Sequence, residues 1–274
     1  MQIPRFVASD GLLLAAETFG EGRPLVFAPG LTDNRGYIHR QLLPLADRYR
    51  IVTYDQRGHG DSTPVTYPAL YTAERMAGDM ACILDAFDIE RAVIGGESMG
   101  AATALLFAFG WPERVESLLL TGPALGDTPN PGRDRLKALG QAFARRGAES
   151  IIAEAAATEW PEMGLDENAM TTLAAMLRSH RDESVAVACD AVADWILDLT
   201  PLSTVRCPVQ IIAWENDPVH PIALARLMAA LLPSARLAVL PQLNSRFNTP
   251  ELTGRIYREF LLGLEARWIG PAPR

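Results

Sequence analysis

Gly96-Glu97-Ser98-Met99-Gly100 stands between two apolar stretches, and this juxtaposition leaves few folds open. Arg91 to Ile94 reads as a short buried strand. Ala101, Ala102, Ala104, Leu105, Leu106, Ala108 and Phe109 read as a helix buried on most sides. Gly-x-Ser-x-Gly at a strand-to-helix junction describes a nucleophile elbow, a sharp turn that holds the serine backbone strained and its hydroxyl outward. The flanking glycines fit places where a Cβ would collide with backbone. The helix start leaves N–H groups, Met99's among them, beside the serine, where they can stabilise an oxyanion. The competing reading, a serine that merely caps the helix, asks for no pocket.

Strands and helices alternate around this point. Residues 3–8 and 12–19 read as strands joined by a turn at Ser9-Asp10-Gly11. Pro24 to Ala28 is an apolar strand that exits into Pro29-Gly30-Leu31-Thr32-Asp33-Asn34. A helix over Tyr37 to Asp47 and a strand over Arg50 to Tyr54 follow. The next loop is Asp55-Gln56-Arg57-Gly58-His59-Gly60-Asp61-Ser62, and then a helix from Thr72, its N-cap, to Phe87. Arg114 to Thr121 is a further strand. This order predicts a mostly parallel sheet with helices on both faces. Sites in such sheets form at the carboxyl ends of the strands, so loops 29–34, 55–62 and 96–100 should meet.

Residues 123–200 break the rhythm. Helical patterns run over Asp134 to Arg146, Ala148 to Thr158, Glu167 to Ser179 and Glu183 to Leu197, with no convincing strand between them. The expected organisation is a core of residues 1–122 and 201–274 with a helical cap insertion at 123–200. In the second part of the core, Pro208 to Trp214 and Arg236 to Leu240 read as strands. Ile222 to Leu232 and Glu251 to Leu262 read as helices, with Gly263 as a stop and the tail after Gly270 frayed.

Bulk properties narrow the class. A chain of 274 residues suits one large α/β domain. The net charge of −8, without a basic cluster, argues against nucleic acid as a partner. Cys82, Cys189 and Cys207 lie far apart in apolar contexts, as free thiols in a reducing compartment do. No Cys/His spacing suggests a metal, and no cofactor motif appears. The start Met1-Gln2-Ile3-Pro4-Arg5 lacks a signal-peptide pattern, and no apolar run reaches membrane-spanning length. The expectation is a cytoplasmic protein with a small-molecule substrate, no membrane partner, and an oligomeric state that could include a homodimer.

Four motifs in this order resemble the α/β-hydrolase superfamily over nearly the whole chain. They are Pro29-Gly30 after a strand, the loop Asp55 to Ser62, Gly96-Glu97-Ser98-Met99-Gly100, and Trp214-Glu215-Asn216-Asp217-Pro218-Val219-His220-Pro221. The resemblance implies an α/β-hydrolase fold with a cap over a cleft, an oxyanion hole, and a Ser–Asp–His triad in that chain order. It makes Ser98 the nucleophile, Asp217 the triad acid (Glu215 and Asp85 being weaker substitutes), and the backbone N–H groups of Leu31 and Met99 the oxyanion-hole donors. A serine nucleophile sets the chain apart from the family's dehalogenases and epoxide hydrolases, which attack with aspartate.

The implied histidine belongs in the loop after the last strand, and the loop Pro241-Gln242-Leu243-Asn244-Ser245-Arg246-Phe247-Asn248-Thr249-Pro250 holds none. Asn244 or Ser245 occupies its place, and neither an amide nor an alcohol can take a proton from serine near neutral pH. His220 is the most plausible substitute base, although its short tether to Asp217 is expected to point it away from Ser98. His59 reads as loop structure, and His39 and His180 as surface or cap residues. The leading expectation is a serine hydrolase of a small ester or lactone, either active or an inactivated variant lacking the triad histidine. The alternatives are a cofactor-free lyase, cyclase or decarboxylase using cleft residues such as His220 or Asp33, or a binding protein without turnover. Trp160, Met163, Met170, Met176 and Trp195 could line an apolar pocket, and equally suit a core.

Overall fold

The computed structural model describes residues 4–268. In chain order its elements are β1 (Arg5–Val7), β2 (Leu13–Phe19), β3 (Arg23–Ala28), α1 (Arg35–Leu42), β4 (Tyr49–Tyr54), α2 (Ala73–Ala86), β5 (Ala92–Glu97), α3 (Met99–Gly110) and β6 (Val115–Thr121). Then come α4 (Arg133–Ala157), α5 (Glu159–Glu162), α6 (Glu167–Arg178), α7 (Asp182–Ala193), β7 (Val209–Trp214), α8 (Ile222–Leu231), β8 (Ala235–Leu240), α9 (Ser245–Asn248) and α10 (Glu251–Trp268). The strands form one eight-stranded sheet in the order β1-β2-β4-β3-β5-β6-β7-β8. The β1–β2 and β2–β4 pairings are antiparallel, and every pairing from β4 to β8 is parallel. This is the α/β-hydrolase fold.

Alternation along the central strands builds two cores. Val26, Val52, Ile94, Leu118, Leu120 and Ile211 face one side and pack with residues of α2, α3 and α8. Leu25, Phe27, Ile51, Val93, Leu119 and Ile212 face the other, with residues of α1 and α10. Every residue of β5 and β7 is buried, and apolar side chains fill both faces apart from Gln210 and Glu97, whose side chains are hydrogen-bonded.

Between β6 and β7 the described chain carries helices and no strand. Gly147, with φ 72°, breaks α4 where the pattern divides at 146–148. The Asp182 carboxylate accepts the Ala148 N–H at 3.1 Å and restarts the helix. Three expectations change, and the first is that the helix expected over Glu183 to Leu197 ends at Ala193. The helix after β3 is shorter, because Pro44 turns the chain into a 3-10 turn over Leu43–Leu45. Gly263 does not stop the last helix, which continues to Trp268. Residue 3 of the first expected strand and the tail from Gly270 lie outside the described residues. The three cysteines are free thiols, Cys189 buried and Cys82 and Cys207 half-buried. Among the described residues no helix is long and apolar enough to cross a membrane.

Candidate active site

Ser98 lies at the carboxyl end of β5 with φ 54° and ψ −112°, a left-handed conformation that serine rarely adopts. Such a residue costs on the order of 1–3 kcal/mol and persists only where its surroundings over-determine it. Here the Ser98 N–H donates to the Thr121 carbonyl of β6 at 2.9 Å. The two glycines are required by close approach. A Cβ on Gly96 would meet the Gly100 carbonyl, and one on Gly100 would meet the Ala28 carbonyl at the end of β3.

The turn after β7 completes the arrangement. Asn216 takes φ 60°, which asparagine tolerates. The Asp217 carboxylate then accepts the backbone N–H groups of Val219 at 2.9 Å and His220 at 3.0 Å. This side-chain-to-backbone turn folds the tether back on itself instead of carrying it outward. Asp217 Oδ2 lies 2.7 Å from His220 Nδ1, and His220 Nε2 lies 2.9 Å from Ser98 Oγ. The expectation that a short tether directs His220 away from Ser98 is therefore corrected. With the ring proton on Nδ1, donated to the carboxylate, Nε2 is free to accept the Ser98 hydroxyl proton.

Two residues missed from the sequence hold this turn. Gly122, at the end of β6 with φ 51°, leaves room for the imidazole, since a Cβ there would lie 3.3 Å from the ring. Asn130, buried, donates from Nδ2 to the Val219 carbonyl at 2.9 Å. Both follow β6, and a Gly and a Pro-Asn-Pro next to a strand exit were the available signals. Burial pushes the Asp217 carboxyl up, but the hydrogen bond and positive charge of His220 outweigh it and hold the group at about 2. Asp217 thus stays ionised across the neutral range.

Ser98, His220, Leu31 and Asp33 line one cavity of about 460 Å3 between the strand ends and helices α4–α6. The N–H groups of Leu31 and Met99 donate to no protein acceptor among the described residues. Trp160 and Met163 line the same cavity. Met176 is buried in the core, and Met170 and Trp195 pack against it.

Asn244 does not reach the site. Its side chain donates to the Gly164 carbonyl at 3.1 Å. Ser245 Oγ accepts from Trp214 Nε1 at 3.0 Å and donates to the Gln242 carbonyl. The loop after β8 instead sends Arg246 into the cavity, where it pairs with Glu97 and Asp33. Burial lowers the basicity of that guanidinium, but the Glu97 and Asp33 carboxylates more than offset it and raise it. His59 and His180 are both buried, so His180, between α6 and α7, is not a surface residue. His180 Nε2 donates to the Thr32 carbonyl at 2.9 Å, and its Nδ1 accepts the Gly60 N–H at 3.1 Å. His39 is half-buried and stacks on Phe19.

The alpha/beta hydrolase fold family model matches residues 23–243. A 3-oxoadipate enol-lactonase from Acinetobacter baylyi is 30% identical over 242 residues, covering 85% of this chain and 87% of the relative. A putative carbamate hydrolase, RutD, from Azorhizobium caulinodans is 27% identical, covering 90% and 92%. Among solved structures, a thermophilic esterase from Thermogutta terrifontis with malate bound is 25% identical, with a TM-score of 0.78 and coverage of 96% of this chain and 99% of that one.

Proposed function

Since the chain belongs to the α/β-hydrolase fold family, we propose that it is a serine hydrolase that cleaves a small ester or lactone, with its catalytic histidine supplied by the turn after β7. The observation that carries this reading is the hydrogen bond between Ser98 Oγ and His220 Nε2 at 2.9 Å, backed by Asp217 on Nδ1 at 2.7 Å. The names of the relatives, an enol-lactonase and an esterase, favour acyl transfer from oxygen.

Ser98 Oγ attacks the substrate carbonyl carbon while its proton passes to His220 Nε2. Asp217 holds the ring orientation and stabilises the imidazolium. The oxyanion accepts hydrogen bonds from the Leu31 and Met99 N–H groups, donors fixed in place before the charge develops. Collapse breaks the bond to the leaving oxygen, which takes the proton from His220. Water then attacks the acyl-serine with His220 as base, releasing the acid and restoring Ser98. In a lactone the leaving alcohol stays tethered to the acyl group. Residues 123–200 act as the cap, and the cavity beneath it, of about 460 Å3, is sized for a small molecule.

The lyase and binding-protein alternatives drew their force from a serine without a base. An imidazole bonded to that serine supports the hydrolase over both. A panel of short-chain nitrophenyl esters and simple lactones tests the reading, with Ser98→Ala beside the wild type. Turnover confined to the wild type, with Ser98 labelled by a fluorophosphonate, is the expected result. Equal background rates and no labelling would remove the reading.

A further inference from the structure

Arg246 sits in the loop where the resemblance to the family seeks a histidine, and it touches neither Asp217 nor His220 through a hydrogen bond. Its partners lie instead on the two segments that carry the unpaired amides. Through Nε and Nη2 it pairs with Glu97, the residue immediately before Ser98 and Met99. Nη2 also lies 3.4 Å from Oδ2 of Asp33, two residues after Leu31. That same Asp33 oxygen accepts the Gly30 N–H at 3.1 Å, so the carboxylate closes the turn from which the Leu31 amide projects.

The surroundings make this a built site. The Asp33, Glu97 and Gln41 side chains are buried, and Arg246 is largely so. The second Glu97 oxygen accepts from Gln41 Nε2 at 2.6 Å. The Arg246 backbone is itself anchored, its carbonyl accepting the Tyr37 hydroxyl at 2.8 Å. Strand pairing cannot do the same work, because the ladder between β3 and β5 ends at Ala28 and Gly96, before either amide. A planar guanidinium can reach two carboxylates at fixed angles, where an ammonium acts as one point charge.

We propose that Arg246 is a positioning residue, a two-point clamp between Glu97 and Asp33 that fixes the spacing of the Leu31 and Met99 N–H groups. The inference rests on the Ser98 hydrolase reading. An oxyanion hole works through preorganised donors, and a misplacement of about 1 Å costs on the order of 100-fold in rate. The loop after β8 thus serves the site through geometry and leaves proton transfer to the turn after β7.

The test compares wild type with Arg246→Lys, Asp33→Asn and their double variant on one nitrophenyl ester. Phenylboronic acid serves as a tetrahedral analogue, and thermal unfolding is followed in parallel. Arg246→Lys keeps the charge balance of the buried cluster, so it should fold. The expected result is a kcat about 10- to 100-fold lower with KM within about 3-fold. Boronate affinity should weaken in parallel with kcat, and the double variant should be no worse than the poorer single one. A merely structural role would lower the unfolding temperature without selectively weakening the boronate. Active wild type with an Arg246→Lys variant of equal kcat and boronate affinity overturns the clamp alone. A loss seen only in KM does the same. Wild type that neither turns over nor is labelled at Ser98 removes the hydrolase reading, and the clamp with it.

Discussion

His220 reaches Ser98 from only three residues beyond Asp217, so the carboxylate and the imidazole come from a single turn after β7. Asp217 uses both oxygens at once. Oδ1 accepts two backbone N–H groups and shapes the turn, while Oδ2 holds the imidazole that the turn delivers. The side chain that orients the ring also builds the backbone that carries it.

Replacing His220 therefore has a sharp consequence. His220→Ala should lower kcat on a nitrophenyl ester by about 1,000-fold or more, since losing the base of such a triad leaves only binding and the oxyanion hole. Asn244→His or Ser245→His should not restore activity in that background. Position 244 faces the Gly164 carbonyl, and position 245 is held between Trp214 and Gln242. Steady-state kinetics on the three proteins checks both statements, and strong recovery at either position would contradict the placement of the base.

Gly122 supports the same imidazole from β6. Gly122→Ala places a methyl 3.3 Å from the ring in a left-handed backbone, so both space and conformation oppose it. The expected outcome is a kcat lowered about 10-fold or more, following the cost of displacing a reacting group by a fraction of an ångström. Gly78→Ala in α2, where nothing lies within 4 Å of the added carbon, should leave kcat unchanged and serves as the control.

The fold was readable because its signals are local. Val93 and Ile94 before Gly96, and Ala101 onward after Gly100, announce strand, turn and helix within a dozen residues. The arrangement around His220 was not readable in the same way. The direction of that ring depends on Asn216 at φ 60°, on both oxygens of Asp217, and on Gly122 and Asn130, roughly a hundred positions earlier in the chain. A tether length alone says how far a side chain can go, and the turn decides where it points. Arg246 was hidden for a related reason, since the meaning of a cation in a loop depends on which carboxylates it meets.

Two buried histidines below the Leu31–Thr32 loop predict an acid-sensitive fold. Burial, and the neighbouring His180, push His59 down to about 4, and burial lowers His180 as well. In the unfolded chain each takes a proton near pH 6.5. Between pH 6.5 and about 4 the unfolded chain therefore holds protons at these two sites that the folded chain lacks, and their contribution to stability falls as pH falls through that window. For His59 the full loss is about 3 kcal/mol. Protonation of His180 would also cost its Nδ1 the Gly60 N–H. Urea unfolding at pH 7.5, 6, 5 and 4.5 measures the slope. His59→Gln should flatten it, and a slope unchanged in that variant would assign the acid sensitivity elsewhere.

Arg57 and Asp79 form an ion pair in which both side chains are almost wholly removed from water. Nε and Nη2 of Arg57 donate to the two Asp79 oxygens at 2.7 and 2.6 Å, and Nη1 donates to Asp10 and to the Leu70 carbonyl. The pair fastens the loop after β4 to α2. Burial pushes the Asp79 carboxyl above the usual carboxylate range, and the hydrogen bonds and charge of Arg57 offset part of that rise. Arg57→Met should cost about 3–5 kcal/mol, because it strands a carboxylate in the core. For a chain of this size that lowers the unfolding temperature by roughly 6–20 °C. Arg57→Met with Asp79→Leu removes both charges and should recover most of the loss. Calorimetry on the three proteins separates the cases, and a double variant no more stable than Arg57→Met would show that packing and the bonds to Asp10 and Leu70, not the stranded charge, carry the effect.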